Sequence, residues 1–333
     1  MRQVTDKQAE SQRPDAIAIV GATASGKTAT SLELSFLLGL HNDFAFPVEI
    51  ISADSRQIYR YLTIGTAKPS REDLETVPHH FIDCKNPDER FSAGDFGTEA
   101  AETLLTIRQR GKLPVIVGGA GLYVQALCDG FFEEAVEVSD DAAYSQAIER
   151  ERLALQTEFE TQGIAPLFAE LEKVDPASAK KYTDMNPRRI IRALEYYRAT
   201  GVPLSEAHTA SHVGRSFKTR FFGVHVEREE LYIRINARAA AMFADGLLEE
   251  TSSVLGLGYS PNLNSLNTVG YKEAMAHLRG EITLARAVEL TQQNTRRYAK
   301  RQMTWFRRDE RIEWLSGTPE EIAHSIITRL RQG

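Results

Sequence analysis

Two cysteines, Cys84 and Cys128, are too few for a four-ligand zinc site or a disulfide framework, and each is expected as a small buried or half-buried side chain. The eight histidines show no paired ligand spacing, so no structural or catalytic transition metal is expected. No apolar run approaches the roughly 18 residues of a membrane span. The start, Met1–Arg13, is polar and lacks the apolar stretch of a secretory signal; it reads as a frayed tail. Positive charge is not in surplus either, since a formal net charge of −6 excludes a generally basic, nucleic-acid-coating chain. No repeat period or low-complexity segment stands out. These absences fit a reducing, cytoplasmic compartment. The length of 333 residues predicts about two structural units, with a 42% apolar share ample for a core.

What is present begins with one stretch. Gly21-Ala22-Thr23-Ala24-Ser25-Gly26-Lys27-Thr28 follows the apolar run Ile17–Val20 and opens into Thr28–Leu38, apolar at helical spacing. Strand, glycine-bounded loop, Lys, Thr and helix make up the context of a phosphate-binding P-loop. Its backbone N–H groups converge on one spot that the helix dipole makes attractive to an anion. Lys27 adds a point charge, and the Thr28 hydroxyl is placed to ligate Mg²⁺ beside the phosphates. The expected ligand is a di- or triphosphate, as in nucleotide- and ATP-binding proteins.

The rest of the first third reads as an α/β core. Val48–Ile51 is a short buried strand ending at Ser52–Gln57, and Leu113–Val117 is another, running into Gly118-Gly119-Ala120-Gly121. Phe81–Asp83 is read as a further strand, Ser92–Arg110 and Leu122–Leu127 as helices. Such alternation predicts a parallel sheet, whose ligands sit beyond the carboxyl ends of its strands. Asp54 falls at such an end. A nucleotide hydrolase usually has an acid after a second apolar strand, and here the best strand ends in glycines, leaving Asp54 alone. A lone carboxylate there suits a general base; the competing reading is a helix cap.

The middle changes sign. Phe131–Asp175 holds 12 acids against Arg150, Arg152 and Lys173, and Ala142–Gln162 has long helical periodicity, which together suggest a helical insertion with a solvated face. From Arg188 to Arg238 ten bases face five glutamates. Arg188, Arg189 and Arg192 follow the helix-start signal Asn186-Pro187, and either grip phosphates or form a salt-bridged surface. Phe221–Val226 returns to strand character, which puts Arg228 at a strand end where a guanidinium can stabilise a departing phosphate. Glu230–Glu250 is read as one helix, Thr268–Lys272 as the opening of another, and Asn294–Arg308 as a last, basic helix with Tyr298, Trp305 and Phe306 interleaved. Aromatics among bases can stack on splayed nucleotides, but Trp305 and Phe306 are read as its buried face. Ile312–Leu315 is read as a closing edge strand.

Taken together, Gly21–Thr28, Ser52–Tyr59, Ile64–Pro69, Val117–Tyr123, Asn186–Arg192, Val269–Lys272 and Ala299–Gln302 resemble, in order, the segments of the tRNA dimethylallyltransferase (isopentenyltransferase) family, in its bacterial form. The resemblance implies a P-loop NTPase-like parallel-sheet core (14–130 and 214–318) with an inserted all-helical domain (131–213) that clasps the anticodon stem-loop of tRNA. It implies that the loop holds the diphosphate of dimethylallyl diphosphate with Mg²⁺, and that the N6 amine of the adenine beside the anticodon is the acceptor. By resemblance Asp54 accepts the amine proton, Thr23 and Arg228 contact the leaving diphosphate, and tRNA meets Asp54, Ser55, Arg56, Gln57, Arg188, Arg189, Ile190, Ile191, Arg192, Asn267, Thr268, Val269, Gly270, Tyr271 and Lys272. Ala120 stands where the family usually has Thr, so a tRNA contact there is weakened. A cytoplasmic monomer is expected. A P-loop small-molecule kinase, with Asp54 as base, is the alternative; a non-catalytic RNA-binding protein is a third.

Overall fold

The computed structural model describes residues 14–40, 47–130, 141–210 and 217–332. The chain divides into two units, Gly130–Arg215 and the remainder. The expected domain limits at 131, 213 and 214 lie outside the described residues.

The larger unit is built on a six-stranded, all-parallel sheet: β1 (Ala16–Gly21), β2 (Val48–Ser52), β3 (His79–His80), β4 (Leu113–Gly118), β5 (Thr219–Val224) and β6 (Ile312–Leu315). Their spatial order is β3-β2-β4-β1-β5-β6. Parallel strands need crossovers and are covered on both faces, which is why β1, β2 and β4 are apolar almost throughout and wholly buried. One face (Ala18, Val20, Ile51, Ile116) packs on helices α3 (Ala93–Gln109) and α4 (Gly121–Cys128) through Phe96, Leu104 and Leu127. The other (Ile17, Ile19, Ile50, Val115) packs on α1 (Lys27–Leu40) and the C-terminal helix α14 (Pro319–Gln332) through Leu34, Leu38, Ile322 and Ile326. The core therefore continues past residue 318. α2 (Arg71–Thr76) links β2 to β3.

Local chemistry sets several boundaries. Ser92 and Asp95 form a reciprocal capping box at the start of α3, satisfying two otherwise orphaned N–H groups. The strand expected at Phe81–Asp83 sits two residues earlier, at His79–His80: Phe81 and Asp83 have φ of 65° and 52°, a left-handed backbone that ends pairing. The helix expected over Glu230–Glu250 is two, α10 (Arg228–Ala244) and α11 (Leu247–Gly256), broken where Gly246 adopts φ 105°. α12 (Tyr271–Leu278) and α13 (Leu284–Phe306) complete this unit. On α13, Phe306 is buried as expected, but Trp305 is 40% exposed. Cys84 and Cys128 are both free thiols, and Cys128 is buried.

The smaller unit comprises α5 (Asp141–Gln162), α6 (Ile164–Val174), α7 (Pro176–Lys181), α8 (Pro187–Thr200) and α9 (Leu204–Ala210). Asn186 caps α8 with Pro187 at its first position, and Gly201 closes it in the left-handed conformation. Leu155, Leu167, Leu171, Ile190, Leu194 and Tyr196 form its core. No described helix is long and apolar enough to cross a membrane.

Candidate active site

The loop between β1 and α1 lies at the carboxyl end of the central strand β1. Thr23, Ala24, Gly26, Lys27 and Thr28 border a cavity of about 350 Å³. Gly21, Ala22 and Ser25 form the loop's buried back. Lys27 Nζ donates to the Ala22 carbonyl at 2.7 Å, folding the ammonium over its own loop. Burial first, and the Arg238 guanidinium second, pull the Lys27 ammonium down to about 8, against the opposing pull of Asp54. Burial likewise lowers Arg238, again opposed by Asp54. Two cations crowded out of water with one carboxylate between them leave a positive excess that an anion would relieve.

Arg238 comes from α10, where its Nη2 donates to Thr23 Oγ1 at 2.5 Å. Arg228, expected at this place, is the exposed first residue of the same helix, its guanidinium 5.3 Å from the Tyr232 ring, and it borders neither cavity described here. The strand end delivers the helix, but the side chain that reaches the phosphate loop lies ten residues further on. Arg234, one turn before Arg238, also borders the cavity and pairs with Glu230.

Asp54 Oδ1 accepts from the backbone N–H of Arg56 (2.8 Å) and Gln57 (3.3 Å), so it pins a turn rather than capping a helix. Asp54 also borders both the first cavity and a second one of about 250 Å³, and Thr23, Thr66, Ala67 and Arg238 are shared in the same way. The second cavity is completed by Ser55, Arg56, Asn267, Thr268 and Val269, with Tyr298 and Arg301 from α13. Gln57 instead faces the first and ties down the 64–69 loop, donating to the Thr66 and Ala67 carbonyls.

Gln302 joins these parts. It is 6% exposed, accepts from the Thr23 N–H at 2.8 Å and donates to the Gly119 carbonyl at 2.8 Å. The glycines at the end of β4 make that approach possible: a Cβ on Gly118 would sit 2.0 Å from the Ala53 carbonyl oxygen, and one on Gly119 2.1 Å from Gln302 Nε2. Ala120 is the N-cap of α4 and makes no side-chain capping bond.

Several expected contact residues are elsewhere. Ile190 and Ile191 are 0% and 9% exposed in the core of the helical unit, so their side chains cannot meet a partner. Tyr271 is wholly buried, its hydroxyl donating to Glu250, and Gly270 is buried beside it, donating its N–H to Glu273; Lys272 is exposed. Arg192 pairs with Glu195 at 2.6 Å, whereas Arg188 and Arg189 are exposed, Arg189 lying 5.9 Å over the Tyr182 ring. Sequence alone assigns no role to Arg238 or Gln302, whereas Tyr298, an aromatic among bases, lines the second cavity where a nucleotide could stack. The available signals were the four-residue spacing of Arg234 and Arg238 and the presence of Gln302 in a recognised motif.

No group of three or more His, Cys, Asp or Glu suited to a metal occurs among the described residues. The Thr28 hydroxyl borders the cavity and suits Mg²⁺, an ion that takes few protein ligands and keeps several waters.

The family model for IPP transferases matches residues 57–309. A tRNA dimethylallyltransferase from Desulforudis audaxviator is 40% identical over 323 residues, 96% of this chain and 98% of that protein. The chain belongs to the tRNA dimethylallyltransferase family. Another member, from Geobacter sulfurreducens, is 41% identical over 300 residues, covering 90% of this chain and 91% of its own. Among solved structures, the tRNA isopentenylpyrophosphate transferase of Staphylococcus epidermidis is similar with a TM-score of 0.66 at 36% identity, over 95% of this chain and 98% of its own. A eukaryotic dimethylallyltransferase acting on tRNA superposes with a TM-score of 0.74 at 27% identity, over 90% and 73%. The kinase alternative draws no support from these relatives.

Proposed function

We propose that this chain transfers a dimethylallyl group from dimethylallyl diphosphate to the exocyclic N6 amine of an adenine beside the anticodon of tRNA, releasing diphosphate. The observation that carries the reading is Asp54 in the common wall of two adjoining cavities, one lined by the phosphate loop and the other by residues after β2, before α12 and on α13. The first holds the diphosphate; the second admits the adenine, which an unpaired loop surrenders cheaply.

The N6 lone pair attacks the allylic carbon bonded to oxygen, a C–N bond forms, and the C–O bond breaks with its electrons leaving on diphosphate. Asp54 accepts the amine proton through the carboxylate oxygen that the Arg56 and Gln57 N–H groups do not engage. Lys27, Arg238 and the Thr23 hydroxyl bear on the charge that develops on the leaving group. Thr28 would hold Mg²⁺, which would supply further neutralisation of that charge. Gln302 keeps Thr23 in register with the strand-end glycines. Contacts from Ser55, Arg56, Asn267 and Thr268 orient the nucleotide, while exposed Arg188 and Arg189 serve the tRNA backbone. A transfer assay tests this. Labelled dimethylallyl diphosphate with Mg²⁺ should label an unmodified tRNA whose anticodon is followed by adenine; transfer of label to no RNA, or phosphorylation of a metabolite from ATP instead, would overturn it.

A further inference from the structure

Helix α13 presents Thr291, Thr295, Tyr298 and Arg301 to the second cavity, at the four- and three-residue steps that keep side chains on one helix face. Thr291 is anomalous in this row. It is 1% exposed, and its Oγ1 has no hydrogen-bond partner. Buried Thr251 donates to Leu247 at 2.7 Å and Thr200 to Tyr196 at 2.7 Å, each satisfying its hydroxyl on the carbonyl four residues back; buried Thr30 of α1 shares the unpartnered state of Thr291 but borders neither cavity described here. Thr291 makes no such bond. A buried hydroxyl left without a partner destabilises the empty protein, and a polar group kept in that state at a cavity wall is a ligand contact waiting for its partner.

Its position along the helix says which part of a ligand it meets. Tyr298 is the member of the row that feels the Asp54 carboxylate, whose charge adds to burial in raising its hydroxyl above the ordinary range. Thr291 lies seven residues earlier, about 10 Å along the axis at the usual helical rise. Asp54 and Thr291 border the same cavity, so an adenine that directs its amine at Asp54 turns its sugar edge to another part of the wall, where Thr291 can meet it. The polar groups of that edge are the N3 acceptor and the ribose 2′-hydroxyl, both of which a free threonine hydroxyl can bond.

We propose that Thr291 is a specificity-determining residue for the acceptor, its Oγ1 hydrogen-bonding the sugar edge of the target nucleotide. The inference rests on the functional reading above. It makes the empty enzyme less stable than it need be, in exchange for recognition of an adenosine rather than of an amine alone.

The test is a double-mutant cycle between protein and RNA. Wild type and Thr291→Val are assayed with an anticodon stem-loop carrying adenosine, 3-deazaadenosine or 2′-deoxyadenosine at the target position. Thr291→Val should raise the KM for RNA by about three- to tenfold, the range of one hydrogen bond, with the KM for dimethylallyl diphosphate unchanged. At least one analogue should cost wild type a similar factor and cost the variant nothing further. Thr291→Val should also raise the melting temperature of the RNA-free protein, which loss of a merely structural hydroxyl would not do, and Thr291→Ser should restore the KM. Analogue effects equal in wild type and variant would overturn the proposal. Failure of wild type to modify any adenosine RNA would overturn the functional reading, and the proposal with it.

Discussion

The two units treat charge in opposite ways. In the helical unit the principal charges are matched: Arg152 and Arg192 both close on Glu195, and Arg198 is shared between Glu158 and Glu170. Asp175, 1% exposed, receives the Ser178 and Ser205 N–H groups and the Ser205 hydroxyl. Around the phosphate loop Lys27 and Arg238 share one neighbouring carboxylate, Asp54, and Thr291 is left unbonded. Matched charges specify a packing; unmatched ones define what must still bind. The sheet can hold that imbalance because its two apolar faces supply the stability. Phe96 alone, wholly buried, accounts for about 1.5–3 kcal/mol of transfer free energy.

The sharpest test of this contrast is Asp54→Ala, which should lower kcat by about 10²–10⁴-fold while leaving tRNA affinity in filter binding nearly unchanged; turnover close to wild type would remove the general base. Arg238→Ala should follow, losing about 10²–10³-fold in kcat, and Arg228→Ala should lose little. The reverse ranking in steady-state assays would return the role to the strand end.

In the helical unit the expectation is inverted. Glu195→Ala removes the buried carboxylate that Arg152 and Arg192 share and should cost stability by about 2 kcal/mol, less than loss of a fully buried pair would, because both arginines are partly exposed and Arg152 keeps Glu149. Its effect on turnover with saturating substrates should be slight, and a kcat loss matching that of Arg238→Ala would erase the distinction between the units.

Two smaller effects refine the comparison. An anion favours charged Lys27, so bound diphosphate should raise its pKa from about 8, and affinity should weaken as pH climbs above that value. Calorimetric titration of Mg²⁺-diphosphate between pH 7 and pH 9.5 would show it, with Lys27→Arg as the reference for the ligand's own titration; parallel curves would reject the shift. Ala120→Thr supplies the missing cap of α4 and should add about 1 kcal/mol in chemical denaturation. An unchanged midpoint would mean that a Thr at this position does not act as a cap.

Much of this was legible in the chain itself, because its signals are local. A glycine-bounded loop between an apolar strand and an amphipathic helix needs no distant partner, and Asn186-Pro187 or Ser92 with Asp95 mark helix starts within four residues. Family membership was legible from the order of its motifs. The failures share a physical cause. The two-residue strand β3 exists only because β2 offers it an edge, and Phe81–Asp83 has the more strand-like composition. The phosphate-site arginine was sought beside the strand end, where Arg228 is adjacent in sequence, yet the face of α10 carries Arg238 to Thr23. Ile190, Ile191 and Tyr271 share segments with exposed residues, and a motif does not reveal which of its side chains point inward.

By itself, then, the sequence determined the parallel α/β core, the phosphate loop, the strand-end carboxylate and the family. Each follows from periodicity, turn chemistry or ordered motifs that adjacent residues carry. Tertiary structure alone decided that Arg238 meets Thr23, that Gln302 bridges Thr23 and Gly119, and that Asp54 stands between two cavities with Thr291 left unpaired in the second. Those pairings join residues separated by up to 279 positions, and only packing the helices onto the sheet brings them within bonding distance.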